Sequence, residues 1–528
     1  MRLFDTLERS ARVFPEKLAA TYLERSVTYR ELYESALKLR QYLESRGFSQ
    51  GGRAAVLIEN SPEYLTAFFA VTGAGMVLVP IDTSLNPEKI NFILNDCGAE
   101  CLIIQSKYER HLEKILAGNT ALKELISDRG FRGNSGRLSN RTMAEILTGS
   151  DRVTAPDSSW QGKVRYLEYD LEKESAEAPT ELAAIFYTSG STGQPKGVML
   201  SHRNLISNTI ATVEYLKLSH EDSVIVILPF YYIYGNSLLL THTMCGGRLV
   251  IDNRFLYPEV VLDTMEQEKV TGFSGVPSNF MILLNNSTFA ARKLESLRYF
   301  TQAGGAMAPE VVRRLMATFP DKEIYIMYGQ TEAAPRVSYC PPERLKDKIG
   351  SIGIPVPGVQ IKIVNDEGKE VPTGEEGEIA VFGDNVMLGY WNQPEEQSQV
   401  LRNGWLHTGD LARKDEEGYF FIVGRKKEII KAGGNRVSAK EVEECILGNE
   451  KIAEATVFGV KDDILGEAIK AVVVLKDGVT ADKKEIQTYC RGKIADYKIP
   501  KFVDFVEALP KYKSGKVNKL QLINQSSR

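Results

Sequence analysis

Short runs of consecutive apolar residues, set between helix signals, limit the folds open to this chain more than any other feature. Ala54-Ala55-Val56-Leu57-Ile58 and Met76-Val77-Leu78-Val79-Pro80 are continuous rather than alternating. Such strands suit a parallel sheet buried on both faces. Between them Ser61-Pro62 starts a helix, with serine as N-cap and proline where its missing N–H is harmless. Leu32, Ala36, Leu39 and Leu43 recur at helical spacing, so 30–46 reads as an amphipathic helix. Cys101-Leu102-Ile103-Ile104 reads as a further strand. The rhythm lapses over 118–180, which reads as surface connection with scattered elements, and resumes at 182–187, 224–228, 248–251 and 323–327. From Gly350 the strands shorten and turns multiply, as in Asn365-Asp366-Glu367-Gly368. The expectation is an α/β protein: a large N-terminal domain over 1–426 with parallel-type sheets and a β-hairpin-rich subdomain at about 350–426. A small α+β domain follows over 427–528.

Composition narrows the function. The 528 residues are 43% apolar and 25% charged with a net charge of -4, which excludes general disorder and disfavours a nucleic-acid partner. No apolar run reaches the ~20 residues needed to span a bilayer. The start, Met1-Arg2-Leu3-Phe4-Asp5, lacks a secretory pattern, so a cytoplasmic protein is expected. Six scattered cysteines read as reduced thiols, since Cys97 and Cys101 have no second pair at zinc spacing. From Lys427 onward the charge balance is +4 against -8 for the remainder, a small basic module on an acidic body that suits anionic ligands.

The sharpest segment is Tyr187-Thr188-Ser189-Gly190-Ser191-Thr192-Gly193-Gln194-Pro195-Lys196-Gly197, directly after an apolar strand. Glycines permit close backbone approach, hydroxyls and N–H groups donate to phosphate oxygens, and Lys196 adds a point charge. No Gly-Lys-Ser/Thr closes it, so it is not a P-loop. Four more segments follow in order: Tyr328-Gly329-Gln330-Thr331-Glu332, Gly404-Trp405-Leu406-His407-Thr408-Gly409-Asp410, Gly424-Arg425-Lys426-Lys427-Glu428, and Ser514-Gly515-Lys516. Tyr328–Glu332 follows a buried strand, placing it at a carboxyl-end crevice where open α/β sheets bind ligands. Glu332 is a hard oxygen ligand suited to Mg2+, Thr331 suits the α-phosphate, and the Tyr328 ring suits adenine.

Together these segments resemble the signatures of the adenylate-forming, AMP-binding superfamily: acyl-CoA synthetases, stand-alone and peptide-synthetase adenylation enzymes, and luciferases. The resemblance implies that Thr188, Ser189, Gly190, Ser191, Thr192, Gly193 and Lys196 cradle ATP phosphates. It adds Gly304, Tyr328, Gly329 and Arg425 to the nucleotide site and gives Asp410 the ribose hydroxyls. Thr331, Glu332 and Lys516 are implied as catalytic, with Glu332 on the metal. Lys516 would reach the site during adenylation, where a cation stabilises charge on the attacking carboxylate and the phosphate. Lys427 falls at the hinge about which the C-terminal module swings, and Gly433 and Gly434 on the face that meets the thiol acceptor.

The implied reaction joins a carboxylic acid to AMP and then passes the acyl group to a thiol, with ATP, Mg2+ and CoA or a phosphopantetheine arm as participants. Tyr232, in Pro229-Phe230-Tyr231-Tyr232-Ile233-Tyr234-Gly235, stands where many acyl- and aryl-CoA ligases have histidine. With Val276, Ala303 and Gly305 it is expected to line the acid pocket. No aspartate occurs in that stretch to hold an α-ammonium, which disfavours an ordinary α-amino acid. A fatty- or aryl-acid–CoA ligase leads. A stand-alone enzyme loading an acidic acyl-carrier protein comes second, and a non-catalytic nucleotide-binding protein third.

Overall fold

The computed structural model describes residues 1–48, 50–130, 138–149, 171–189, 195–432, 435–462, 465–511 and 517–526. An eight-stranded sheet has at its centre the parallel strands Leu182–Ser189, Val77–Pro80, Arg53–Leu57 and Cys101–Ile104. A nine-stranded sheet has the parallel run Leu18–Tyr22, Arg248–Ile251, Ser223–Val226, Gly272–Gly275, Tyr299–Gln302 and Glu323–Gly329. Antiparallel strands close its edges, Arg336–Cys340 among them.

Continuous apolar strands arise because each sheet is covered twice. Ala54 and Val56 pack into the central core with Val224, Val226 and Leu249 of the other sheet, whereas Ala55 and Leu57 face a separate core with Leu94 and Leu102. Ile225, Val250 and Phe273 line the outer face of the nine-stranded sheet. Between the sheets lie the helices Tyr29–Ser45, Pro62–Gly73, His202–Tyr215 and Ile233–Cys245. Every residue of Ile233–Cys245 is buried, polar Asn236, Ser237, Thr241, His242 and Thr243 included. Ser61 caps the second helix through the Tyr64 N–H, as the sequence signal predicts.

One expectation needs correcting. Scattered elements do occur within 118–180, but one of them, the strand Glu124–Ser127, is fully buried rather than on the surface and extends the eight-stranded sheet. Its opening residue disguises it: the Glu124 carboxylate is buried but takes hydrogen bonds from the Tyr42 hydroxyl and Arg46.

The turn-rich region forms an antiparallel sheet containing Val359–Val364, Gly377–Gly383, Trp405–Lys414 and Phe420–Arg425. The C-terminal strands Ile429–Ala432, Asn435–Ser438, Ile452–Asp462, Gly466–Leu475 and Phe502–Phe505 form another sheet with its own core around Val437, Val457 and Ile469. Lys427 sits in the single 3-10 turn between these sheets. Ser438 and Lys440 bond back to the Val423 and Ile422 carbonyls. Among the described residues no helix is long and apolar enough to cross a membrane.

Two core histidines make the fold acid-sensitive. His202 accepts the Leu3 N–H through Nδ1 at 3.2 Å, tying the N-terminal helix Leu3–Val13 to the central layer. Burial lowers its pKa to about 4, and burial does the same for His242. Between pH 6.5 and about 4 the unfolded chain binds more protons than the folded one, so stability falls as pH falls through this window. Denaturant titrations should show a loss on the order of 2 kcal/mol per histidine at pH 5 relative to pH 7. His202→Gln, which keeps an acceptor for Leu3, should make that fall shallower.

Candidate active site

Two strand ends meet on one carboxylate in the middle of a third strand. Asp410, on Trp405–Lys414, is buried; its Oδ2 accepts the Tyr328 hydroxyl at 2.6 Å and its Oδ1 the Arg425 Nε–H at 2.5 Å. Register produces the second contact, since Asp410 lies opposite Arg425 in the antiparallel pair. Burial and the adjacent carboxylate push the Tyr328 phenol well above its ordinary pKa, so it remains a donor. Below this group Glu378 receives the Gly409 N–H at 2.9 Å, Lys426 at 2.9 Å and a contact from His407 at 3.2 Å. Burial alone would raise the Glu378 pKa, but the bonds from Lys426 and His407 outweigh it and hold the carboxyl below the usual range.

Thr188 lies opposite Lys196 in the antiparallel pair Leu182–Ser189 and Pro195–Ser201. Lys196 is buried against Glu396 and lies 5.7 Å from the centre of the Tyr390 ring. Its hydrogen bond holds the Glu396 carboxyl low. The Tyr390 hydroxyl donates to Glu332 Oε1 at 2.8 Å, so Lys196 and Glu332 flank one aromatic ring. Thr331 and Glu332 form a 3-10 turn after the strand Glu323–Gly329. A Cβ on Gly329 would lie 1.9 Å from the Pro335 carbonyl oxygen, so no larger residue fits that return of the chain.

The positions expected to line an acid pocket lie at element ends. Tyr232 precedes the helix Ile233–Cys245, and its hydroxyl donates to Asp82 Oδ2 at 3.0 Å. Ala303 follows the strand Tyr299–Gln302, Gly304 has φ +85°, and the Gly305 carbonyl accepts Gln302 Nε2 at 2.9 Å. Val276 and Ala303 belong to the same buried cluster as Tyr234 and Tyr328.

Gly190, Ser191, Thr192, Gly193, Gly433, Gly434 and Lys516 lie outside the described residues, as does the side chain of Ser189. Glu378, Tyr390, Glu396 and Asn385 escape sequence reading. Asn385 ties the Ala333 and Arg336 carbonyls, each at 3.0 Å. Their partners are 29 to 200 residues away, with no local signal except the Gly-Tyr-Trp run at Tyr390.

The chain as a whole is similar to known proteins. The family description "AMP-binding enzyme" matches residues 7–391, and "AMP-binding enzyme C-terminal domain" matches 441–516. A long-chain-fatty-acid–CoA ligase of Escherichia coli O6:H1 is 33% identical, covering 99% of this chain and 94% of its own length. The crystal structure of an anthranilate CoA ligase with anthranoyl-AMP superposes with TM-score 0.87 at 27% identity, covering 100% of this chain and 97% of that one. An o-succinylbenzoate coenzyme A synthetase from Bacillus subtilis, in complex with ATP and magnesium ion, gives 0.81 at 27% identity and covers 99% of both chains.

Tyr328→Phe removes one of the two bonds to a buried carboxylate and should cost about 1–3 kcal/mol of stability. A lowered urea midpoint would register it. Asp410→Ala should cost more, because it removes both bonds and leaves the buried Tyr328 hydroxyl without its acceptor.

Proposed function

The chain belongs to the AMP-binding enzyme family, and from that premise we propose that it is an AMP-forming ligase joining a fatty or aryl acid to CoA. The observation that carries this reading is the convergence of Tyr328 and Arg425 on Asp410, with Glu332 and Lys196 about the Tyr390 ring. Intact acidic and basic groups there argue against a non-catalytic binding protein.

In the first step an oxygen of the substrate carboxylate attacks the α-phosphorus of ATP. The bond to the bridging oxygen breaks, pyrophosphate leaves, and an acyl-adenylate forms. Asp410 is suited to hold the ribose hydroxyls and Lys196 the phosphates. Thr331 would donate to the α-phosphate, and Lys516 would bring a cation to the charge developing there. Glu332 fits Mg2+: it offers one hard carboxylate, and this ion is commonly held by one or two carboxylates plus substrate phosphates. When bound, the ion neutralises phosphate charge.

In the second step the thiolate of CoA attacks the acyl carbon and AMP departs. A cleft lined by Asn86, Lys107, Tyr108, Arg110 and His111 supports a polyanionic acceptor such as CoA, beside the strand end that holds Asp82. The basic C-terminal module supports CoA or an acidic carrier protein. A pivot at Lys427 is supported by the separate core beyond it and by the few polar tethers to Phe420–Arg425. The free cysteines support a cytoplasmic setting.

Acid-dependent ATP–pyrophosphate exchange tests the first step. Lys516→Ala should lower exchange at least a hundredfold while the thermal midpoint stays unchanged, and wild-type exchange in that variant would refute its role. Supplying CoA should release AMP and a CoA thioester. Transfer solely to a phosphopantetheinylated carrier would replace CoA with that acceptor.

A further inference from the structure

Every buried charge among the described residues but one has an oppositely charged partner. Glu124 pairs with Arg46, Lys196 with Glu396, Asp222 with Arg298, and Asp252 with Arg254. Lys348 pairs with Asp415, Glu378 with Lys426, and Asp410 with Arg425. Arg336 is the exception. It is 2% exposed, and no carboxylate among the described residues lies within ion-pair distance. Its Nε is buried without a hydrogen-bond partner. An unpaired buried guanidinium is costly, and proteins retain one where something else supplies the anion.

The surroundings of Arg336 connect it to the acid pocket. Its guanidinium lies 4.2 Å from the centre of the Tyr234 ring, and Nη2 donates to Ser237 Oγ at 3.1 Å. Tyr234 and Ser237 are one turn apart on the helix that starts beside Tyr232. The Tyr234 hydroxyl bonds Thr301, two residues before Ala303, and Thr301 Oγ1 lies 2.7 Å from Ser274 Oγ, two residues before Val276. Arg336 therefore touches the segment that follows Tyr232 and is linked through Tyr234, Thr301 and Ser274 to the segments that supply Ala303 and Val276. Its backbone is pinned: the N–H donates to Asn208 Oδ1 at 3.0 Å, and the carbonyl accepts from Asn208 and Asn385. A guanidinium held this way is ready for a planar anion without further ordering.

We propose that Arg336 is a specificity determinant and that the acid this enzyme activates carries a second carboxylate, which Arg336 binds in the pocket while the first reacts with ATP. The inference rests on the ligase reading above and refines its substrate. An apolar tail leaves the buried charge without an anion; a distal carboxylate supplies one and takes a paired, bidentate geometry. Tyr234 and Ser237 are positioning residues that hold the guanidinium plane.

The test compares aryl and alkyl dicarboxylic acids with their half-esters, which keep shape and length but lose the distal charge. Expected for the wild type are a kcat/KM for CoA-thioester formation at least a hundredfold higher with the dicarboxylic acid, and a larger rise in thermal midpoint on binding it. Arg336→Met should abolish that preference while retaining activity on half-esters. Its thermal midpoint without ligand should be unchanged or raised, because an unpaired charge has been removed. Arg336→Lys, which keeps the charge, should retain part of the preference and serves if the methionine variant misfolds. Equal or better use of half-esters by the wild type overturns the proposal and leaves the ligase reading intact. Failure of every acid to support pyrophosphate exchange overturns both.

Discussion

A buried carboxylate must be compensated, and in this protein the compensation of Asp410 ties the architecture to the site. Its partners come from the end of a strand in the nine-stranded sheet and from the last strand before the C-terminal module. Neither a rotated hairpin sheet nor a shifted register of Trp405–Lys414 against Phe420–Arg425 would satisfy both oxygens. Glu378 gathers the Gly409 N–H and Lys426 beneath and holds the turn at the depth where Asp410 meets Tyr328. Side chains that approach a ligand are thus held by groups that do not.

The second constraint runs through Tyr390. Its hydroxyl orients Glu332, and its ring lies beside Lys196, which Glu396 keeps in place. Backbone bonds add to this: Met387 N–H to Glu332 and Trp391 N–H to Gly197 fasten the segment to both signature loops. Charges are paired so consistently across the molecule that the unpaired Arg336 stands out by contrast. Pairing elsewhere serves stability and positioning, whereas a cation with no carboxylate partner among the described residues underlies the substrate proposal made above.

The strands that position the site were largely legible. Arg248–Ile251 and Val359–Val364 coincide with their apolar or alternating runs, and the helix Tyr29–Ser45 falls within one residue of its periodic pattern. Burial on both faces leaves a mark in composition, so these elements could be read locally. Glu124–Ser127 could not, because a long-range pair with Arg46 lets a glutamate open a buried strand. The signature segments carrying Tyr328, Glu332, Asp410 and Arg425 were legible as strings. Glu378, Tyr390, Asn385 and Arg336 were not, because each matters through a partner remote in the chain or through lacking one.

The order of residues by itself determined that two covered parallel sheets would form and which loops would leave their carboxyl ends, since apolar runs, caps and glycine turns act over a few neighbours. Tertiary structure alone decided that Tyr328 and Arg425 share one carboxylate, that Tyr390 joins Lys196 to Glu332, and that Arg336 is buried without a counterion among the described residues. Such facts depend on which distant segments are pressed together in a medium where an unpaired charge is expensive, and no local pattern records that.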